Sequence, residues 1–368
     1  MGHSFSGSSR SSPAVADPGG PTLIPMRVSR ERPLHAAKQV ALKVGFHTGV
    51  LRLLQLALRR QALILMFHRF FGDGKGDPRG LRIGRFAEYM QYLATRYHVV
   101  SLNDLTRQLR LGTVRPNTVA VTVDDGYDDF LSLAVPVLRK YGIPATLFVV
   151  SDFVEGHVWP WPDHFRFVFD HAPRHPITFR HRGETHALEL QDEDDRRWAE
   201  EHWREYAKTI SVPERDDLFG AIAEACGIEI PITPPPEFRS LTWAQLKALT
   251  ADRIDVGAHT RSHPILSRVS SEQLRDEIRG CKEDIERNLG LPVTHFAYPN
   301  GTREDYTSET IKEVSRAGYQ AAVTALAGIN TPDTPIFELR RIEASTEDLP
   351  HFAKTVSALG LRERVKAR

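Results

Sequence analysis

The sequence has 368 residues, enough to bury a substantial core, and its 48 Lys and Arg residues nearly balance its 47 Asp and Glu residues. This balance leaves no net field to attract nucleic acid, so a nucleic-acid partner is not expected. The cysteines, Cys226 and Cys281, lie far apart and lack metal-site spacing, which argues against a disulfide framework or a cysteine metal site. We interpret both as small core residues, and the sequence does not indicate an oligomeric state.

The N-terminal segment differs in composition from the rest of the chain. Residues 1–33 are rich in Ser, Gly, Pro and Arg and lack the apolar run of a secretory signal, so we predict a disordered tail. Residues 34–60 predict an amphipathic basic helix, which either packs on the core, the alternative we favour, or makes peripheral contact with a membrane surface. We therefore expect a cytoplasmic protein, or one peripheral to the inner face of the membrane.

From residue 62 onward, short apolar runs alternate with segments of helical period, which predicts an α/β fold with a parallel sheet covered by helices. Most of the runs are continuously apolar, as burial on both faces requires. Seven strand-helix units around one core predict a distorted, incomplete (β/α)7-type barrel. The predicted strands are Ala62–Phe67, Val119–Val123, Ala145–Val150, Ile254–Gly257, Thr294–Ala297, Ala321–Thr324 and Glu338–Ile342.

Helices are predicted between these strands from apolar residues at helical spacing, over residues 83–93, 274–289 and about 305–317. Ser270 and Gln273 can form a capping box at the start of the second helix, and Gly290 ends it. Together the elements define a domain of residues 61–350, followed by a C-terminal helix or tail at 351–368.

Residues 155–239 interrupt the alternation, and we predict a largely helical insertion there. The insertion contains four of the five tryptophans. We interpret Trp198 and Trp203 as core residues on amphipathic helices, whereas Trp159 and Trp161 fit either the core or a surface that stacks on sugar rings.

Two adjacent carboxylates, Asp124 and Asp125, follow the strand Val119–Val123. They stand at the carboxyl end of a parallel strand, where the active sites of such folds lie. Neighbouring anions repel unless a cation neutralises one, and a metal would do so while leaving the other available as a base. A solvated turn is the alternative, and the pair taken alone fits that alternative better.

Two histidines, His259 and His263, follow the strand Ile254–Gly257 at the spacing i, i+4. On one turn of helix, this spacing puts both imidazoles on the same face. Two neutral histidines and one carboxylate suit zinc or a similar divalent ion, with open positions left for water and substrate. A histidine pair also arises by chance, but its combination with the two carboxylates at another strand end indicates a metal site.

Residues 296–301 follow a further predicted strand, and Pro299 and Gly301 predict a tight turn there. Backbone N–H groups in such a turn could face an oxyanion. A plain loop is the alternative, and this segment alone does not distinguish the two.

These motifs together resemble the polysaccharide deacetylases of the chitooligosaccharide deacetylase homology type, also called carbohydrate esterase family four, over roughly residues 62–345. Residues 122–126, TVDDG, resemble the family's TFDDG motif, which implies that Asp124 is the catalytic base and Asp125 a metal ligand. Residues 259–263, HTRSH, are similar to the family's histidine motif, which implies that His259 and His263 are metal ligands. The implied cofactor is a divalent metal, expected to be Zn²⁺, and the family's distorted barrel agrees with the predicted fold.

The third motif departs from the family's Arg-x-Pro-Tyr-Gly, because Ala297 replaces the arginine and Asn300 replaces the tyrosine. The resemblance implies that the backbone N–H of Asn300 binds the oxyanion. It also implies that the missing arginine, which orients the base in the family, needs a substitute. Arg341 in the last predicted strand is our candidate, and a surface or salt-bridge role is the alternative.

The family's C-terminal Leu-x-His motif, whose histidine is the general acid, has no convincing counterpart. Residues 349–351, LPH, match by letters only, so we treat His351 as a chance match. The first strand instead ends in His68, which resembles the Tyr-His segment of a permuted branch related to the poly-N-acetylglucosamine deacetylases. That resemblance implies His68 as the general acid, against an alternative in which it only caps the strand.

The resemblance implies a hydrolase that removes N-acetyl groups from an amino-sugar glycan or its precursor, as in exopolysaccharide biosynthesis. The expected partner is a carbohydrate substrate. The alternatives are an O-acetyl esterase or small-molecule amidohydrolase on the same fold, or a catalytically inactive glycan-binding protein. The sequence does not name the glycan or its chain length.

Overall fold

The computed structural model describes residues 61–73, 80–344 and 348–357. The predicted tail at 1–33, the predicted helix at 34–60 and residues 358–368 lie outside these ranges. Within the described ranges, no helix combines the length and the apolar composition needed to cross a membrane.

A parallel sheet that curls into a half-barrel carries the fold. The strands are β1 (Ala62–Phe67), β2 (Phe70–Phe71), β3 (Leu81–Arg82), β4 (His98–Val99), β5 (Thr118–Val123), β6 (Ala145–Val149), β7 (Ile177–His181), β8 (Glu184–Leu188), β9 (Ile254–Ala258), β10 (His295–Ala297), β11 (Ala321–Val323) and β12 (Ile342–Glu343). Eight of them form the sheet, in the order β11-β10-β9-β6-β5-β1-β12 with β4 beside β5. Helices surround this sheet, so the predicted distorted, incomplete barrel is confirmed.

The helices cover the sheet and build the insertion. They are α1 (Ile83–Arg96), α2 (Leu102–Leu111), α3 (Val135–Tyr141), α4 (Ser151–Val154), α5 (Trp161–His171), α6 (Glu193–Ala207), α7 (Val212–Cys226), α8 (Trp243–Leu249), α9 (Ser271–Arg275), α10 (Cys281–Leu289), α11 (Ser308–Arg316) and α12 (Leu349–Thr355). A π-helical turn, Asp276–Gly280, joins α9 to α10, and another, Phe130–Ala134, precedes α3. The helix predicted over 274–289 is therefore continuous in direction but widened at its centre.

Side chains of the strands alternate between two apolar clusters. On β1, Leu63, Leu65 and Phe67 pack under the surrounding helices, whereas Ala62 and Ile64 belong to a cluster inside the half-barrel. Burial of both faces explains why the strands are continuously apolar in sequence.

Phe148 fills the inside of the half-barrel near its carboxyl edge. A Cβ atom on Gly257 would lie 2.5 Å from the Phe148 ring, so only glycine allows this close approach. The guanidinium carbon of Arg341 lies 5.9 Å from the centre of the same ring. The ring thus supports a buried cation at the edge where the strands end.

The strand predicted over Glu338–Ile342 is wrong in its extent, since only Ile342–Glu343 form a strand. Leu339 makes an isolated parallel bridge with Val323, and Ile342 then pairs with Leu65 of β1. The segment therefore crosses from one edge of the half-barrel to the other, and its residues divide their pairing between the two edges. This crossing turns Arg341 into the interior.

The insertion contains α5, α6, α7 and the antiparallel hairpin β7–β8, so the prediction of a largely helical insertion missed two strands. Along β7, buried and exposed residues alternate, as in a strand with one solvated face. Arg182 and Gly183 connect the strands, and both have positive φ (50° and 82°), which suits a tight two-residue hairpin turn.

The tryptophans of the insertion lie mainly in apolar cores. Trp203 is 3% exposed and packs edge-on against Phe179 of the hairpin, while Trp198 is half-buried against the same cluster. Trp159 and Trp161 are 5% and 6% exposed, which decides the open alternatives in favour of the core. Both cysteines are also buried and free, as expected.

Candidate active site

The polar residues singled out from the sequence meet in one cavity of about 630 Å³ at the carboxyl ends of the strands. It is lined by His68 after β1, Asp124 and Asp125 after β5, His259 and His263 after β9, Asn300 after β10, and Arg341. A larger cavity of about 820 Å³ lies at the amino ends of the strands and contains none of these residues. Because chemistry in such folds is placed at the carboxyl edge, the smaller cavity is the candidate active site.

Asp125, His259 and His263 form a cluster with the geometry of a metal site. Asp125 Oδ1 lies 3.5 Å from Nε2 of His259 and 3.6 Å from Nε2 of His263, and all three ligand atoms lie within 4.8 Å of one another. Ligands at zinc bond lengths on a tetrahedron are separated by about 3.4 Å, so these residues fit a tetrahedral divalent ion. The carbonyl oxygen of Ala297 accepts a hydrogen bond of 2.8 Å from His259 Nδ1, which fixes the proton there and leaves Nε2 free as a ligand.

The two histidines do not lie on a turn of helix, so that part of the prediction is wrong. Residues 259–263 follow β9 as a bend, in which Thr260 and His263 have positive φ (66° and 60°). The spacing i, i+4 still brings both rings together, with their centroids 4.9 Å apart. Asp125 and Asn300 also have positive φ (77° and 57°), and this strained backbone concentrates at the cavity, as is common at functional sites.

Burial keeps both histidines neutral. Loss of solvent lowers the pKa of His259 to about 4 despite the opposing influence of Asp124, and His263 contributes to the lowering. Burial likewise lowers the pKa of His263 to about 4. Because neutral imidazole is the ligand form, both side chains are ready to bind a metal at neutral pH.

The stability of the metal-free protein is expected to fall as the pH drops from 6.5 toward 4. Unfolded histidines bind protons below about pH 6.5, whereas folded His259 and His263 resist protonation until about pH 4, so acid favours the unfolded state. His164 and His295 add to this effect, since burial lowers the pKa of each to about 4. Urea unfolding curves measured with chelator at pH 7, 5.5 and 4.5 show whether the free energy of unfolding falls with pH as expected.

Substituting both His259 and His263 by glutamine should make the free energy of unfolding less dependent on pH over this range. An equally steep dependence in the double variant would contradict the assignment of these two histidines.

Asp124 and Arg341 form a buried ion pair beside the metal cluster. Nη1 of Arg341 donates to Asp124 Oδ1 at 2.7 Å, and the two residues are 1% and 2% exposed. Arg341 also donates to the carbonyl oxygen of Thr324 and the hydroxyl oxygen of Thr122, which fixes the guanidinium. Burial would raise the pKa of Asp124, but Arg341, aided by His259, outweighs it and lowers the pKa to about 2. Asp124 is therefore ionised and oriented at neutral pH.

Asp125 differs from its neighbour because no arginine in the described ranges forms an ion pair with it. Burial raises the pKa of Asp125, the nearby His68 and His259 oppose this, and the charge of Asp124 adds to it. Without a neighbouring cation, the ionised form of Asp125 is therefore less favourable than that of Asp124. A bound metal would stabilise that ionised form.

The structure distinguishes between the two histidines considered as the general acid. His68 lines the cavity, is about one-third exposed (37%), and places Nε2 3.9 Å from Asp124 Oδ2. His351 lies in α12, where its Nδ1 contacts Asp348 at 2.6 Å, and it does not line the cavity. Treating His351 as a chance match agrees with this placement.

Asn300 occupies the centre of a tight turn at the cavity. Gly301 N–H donates to the carbonyl oxygen of Pro299 at 2.6 Å, and the positive φ of Asn300 (57°) is tolerated by asparagine better than by most residues. Its side-chain nitrogen is buried without a partner among the described residues. The turn thus places the side-chain amide of Asn300 beside the cavity with no acceptor from the part of the chain that the structure describes.

A second buried network, not predicted from the sequence, surrounds the turn that follows β5. Arg69 forms an ion pair of 2.6 Å with Asp129, and its guanidinium carbon lies 4.0 Å from the ring centre of Tyr127. The Tyr127 hydroxyl donates to Asp163 of the insertion. The available sequence signal for this network is that Arg69 directly follows His68 and that Tyr127 lies two residues after Asp125.

One face of α6 forms a wall of the cavity. Ala199, Trp203 and Ala207 of this helix pack into the core of the insertion. The opposite face lines the cavity with charges of both signs, namely Arg197, Glu200, Glu201 and Arg204, and Lys208 directly after the helix adds a further positive charge. The amphipathic pattern would normally indicate a solvated face, but here the polar face lies opposite the metal cluster.

A distorted barrel with two adjacent carboxylates and two histidines at its carboxyl edge is the arrangement of a hydrolase. Comparison with known proteins agrees. The family model described as polysaccharide deacetylase matches residues 112–322, more than half of the chain. The chain therefore belongs to the polysaccharide deacetylase family.

Individual relatives are distant. YxkH of Bacillus subtilis (strain 168), a polysaccharide deacetylase by name, is 22% identical over 227 residues, which cover 62% of this chain and 51% of that protein. This chain thus spans about half the length of that relative.

Among solved structures, the deacetylase PplD of Streptococcus pyogenes, in complex with acetate, has a TM-score of 0.53 and 18% identity, covering 81% of this chain and 98% of that chain. A de-N-acetylase from Aggregatibacter actinomycetemcomitans has a TM-score of 0.52 and 14% identity, covering 80% and 99%. At these identities the likeness establishes the fold.

Proposed function

We propose that this chain is a metal-dependent deacetylase that hydrolyses the N-acetyl groups of an amino-sugar glycan or its precursor, with Zn²⁺ as the metal. The observation that carries the proposal is the pairing of an ionised base, Asp124, with the three-residue cluster of Asp125, His259 and His263. The family and the names of the distant relatives support it.

A divalent ion bound by Asp125, His259 and His263 would supply Lewis acidity for a water molecule and for the acetamide carbonyl. Asp124 accepts the proton of the attacking water at the carboxylate that Arg341 orients. The pKa of about 2 keeps Asp124 deprotonated but makes it a modest base, so its proximity to the water is what we expect to matter.

The remaining steps use the other side of the cavity. The developing oxyanion accepts a hydrogen bond from Asn300 at its tight turn. His68, about one-third exposed and 3.9 Å from Asp124, donates a proton to the departing sugar amine. Acetate and a free amine are the products.

Acetate release from N-acetylated oligosaccharides and small acetyl esters, measured with zinc-loaded protein and again after chelation, tests the proposal. Chelator-sensitive release from amino-sugar substrates is the expected result. Release of acetate only from esters would indicate an O-acetyl esterase instead of an N-deacetylase. No release of acetate, together with no retained metal, would favour a glycan-binding protein.

The wall formed by α6 is expected to select the substrate. Arg204→Gln should raise KM about tenfold with little change in kcat, because it removes a charged donor of the cavity wall that can bind substrate but is not one of the proposed catalytic residues. Arg196→Gln, on the same helix but outside the cavity, is the matched control. Steady-state kinetics on the substrate identified above give both constants, and a fall in kcat at unchanged KM would show that Arg204 acts in the chemical step instead.

A further inference from the structure

The loop that carries the two histidines has a backbone that must be held by its surroundings. Thr260 and His263 are both in the left-handed region, with φ of 66° and 60°. Non-glycine residues rarely adopt this region, and they keep it only where neighbouring contacts stabilise it. The contacts of residues 260–262 therefore determine where the imidazoles lie.

Glu277 provides the central contacts from the π-helical turn Asp276–Gly280. Its Oε2 accepts hydrogen bonds from the backbone N–H groups of Arg261 (2.8 Å) and Ser262 (2.9 Å), and its Oε1 accepts one from the Ser262 hydroxyl. The residue is 4% exposed. A single buried carboxylate therefore satisfies three donors located between the two predicted metal ligands.

The carbonyl groups of the same loop are held by the first residues of α4. The oxygen of Thr260 accepts a hydrogen bond from Ser151 N–H (3.2 Å), and that of Arg261 accepts one from Asp152 N–H (2.9 Å). Within the loop, the Thr260 hydroxyl oxygen accepts a bond of 3.0 Å from His263 N–H. All these contacts are made by the protein's own groups.

We propose that Glu277 is a positioning residue that holds His259 and His263 in the metal-binding arrangement before an ion binds, and that it thereby sets the metal affinity. This inference rests on the proposed metal-dependent function. Without the carboxylate, two partly buried N–H groups lose their acceptor, and we expect the loop to shift to satisfy them. Loss of such an outer partner lowers metal affinity by about 10- to 100-fold in known sites.

The test is the zinc dissociation constant of metal-free protein, measured by competition with a chromophoric chelator, together with the apparent melting temperature of the metal-free state. Glu277→Ala should weaken zinc binding by about 10- to 100-fold. Glu277→Gln should restore most of the affinity, because its amide oxygen can still accept from both N–H groups and its NH₂ can donate to the Ser262 hydroxyl oxygen.

Glu313→Ala is the matched control. Glu313 is also 4% exposed and lies within ion-pair distance of Arg279 (3.3 Å) and Arg316 (3.6 Å), on a helix that does not carry a predicted ligand. Its loss should lower the melting temperature and leave the zinc affinity unchanged. Comparable weakening in the Glu313 variant would overturn the inference, because the effect would then reflect general destabilisation.

Unchanged zinc affinity in a folded Glu277→Ala protein would likewise overturn it. If that variant does not fold, Glu277→Asp takes its place: the shorter side chain draws the carboxylate away from the loop, and unchanged affinity there is equally decisive. Absence of zinc binding by the unmodified protein would contradict the proposed function itself. Equal zinc affinity of the unmodified protein and the Glu277 variant would contradict only the role of Glu277.

Discussion

Replacing Asp124 by asparagine is expected to leave zinc bound and to lower kcat by about 10²- to 10⁴-fold, the usual contribution of a general base. Asparagine has nearly the same shape but cannot accept the proton of the attacking water. Asp124 does not belong to the cluster of ligand atoms formed by Asp125, His259 and His263, so metal content should be preserved. Metal analysis and single-turnover acetate release on the same sample measure both properties.

Asp128→Asn is a suitable control for this variant. Asp128 lies on the same turn of chain but does not line the cavity, and its backbone N–H bonds to the carbonyl oxygen of Arg239. Near-normal turnover in Asp124→Asn would exclude Asp124 as the base. Loss of metal together with activity would instead mean that Asp124 is part of the metal site.

Replacing Arg341 by methionine is expected to destabilise the folded protein by about 3–5 kcal/mol, because it leaves the buried Asp124 without its counter-charge. Chemical denaturation at pH 7 measures this loss. Arg340→Met, a change of the adjacent residue whose side chain is only half-buried, should cost far less.

The same variant should change the pH dependence of both stability and activity. In the unmodified protein the pKa of Asp124 is lowered to about 2 from its usual 3.8, so this ion pair stabilises the fold above about pH 4 and the contribution is lost as the pH falls through about 2. Without Arg341, burial is no longer outweighed and the pKa of Asp124 rises. The acid limb of kcat/KM should therefore move to higher pH.

Combining Arg341→Met with Asp124→Asn distinguishes a buried pair from two independent residues. The double variant removes both charges, so it should recover much of the stability that Arg341→Met loses. If the two losses simply add, Arg341 does not act on the fold through Asp124.

The strands that carry the candidate site could be predicted closely because burial on both faces leaves an unbroken apolar run. Ala62–Phe67 matches β1, and the runs before Asp124 and His259 differ from β5 and β9 by one residue at one end. The polar residues that follow such runs must then meet at one edge, whatever the details of the loops.

The conformation between His259 and His263 could not be predicted in the same way. A spacing of i, i+4 brings two side chains together both on a helix and in a bend with two positive φ angles. The contacts that hold the bend come from other elements, namely Glu277 of the π-helical turn and Ser151 and Asp152 of α4. An acidic residue on an amphipathic helix normally faces water, so the residue type of Glu277 argues against burial, although its spacing from Leu274 and Cys281 places it beside the apolar face.

The hairpin β7–β8 was missed for a different reason. Its alternating pattern and its Arg182-Gly183 turn are present in the sequence, but they lie between longer segments of helical period. Arg341 illustrates a third case: its residue type suggested a partner for the base, whereas its position depends on a crossing segment that no local pattern specifies.

That crossing segment connects the two edges of the half-barrel and also positions the partner of the proposed base, Asp124. Residues 339–343 bridge β11 to β1, and the same short stretch delivers Arg341 to Asp124. The groups that would hold the metal come from β5 and β9, which lie between those two edges. A chain in which residues 339–343 did not bridge β11 to β1 would keep Asp125, His259 and His263 but lose the partner that orients Asp124. We therefore expect such a change to affect the proposed turnover more than the proposed metal binding.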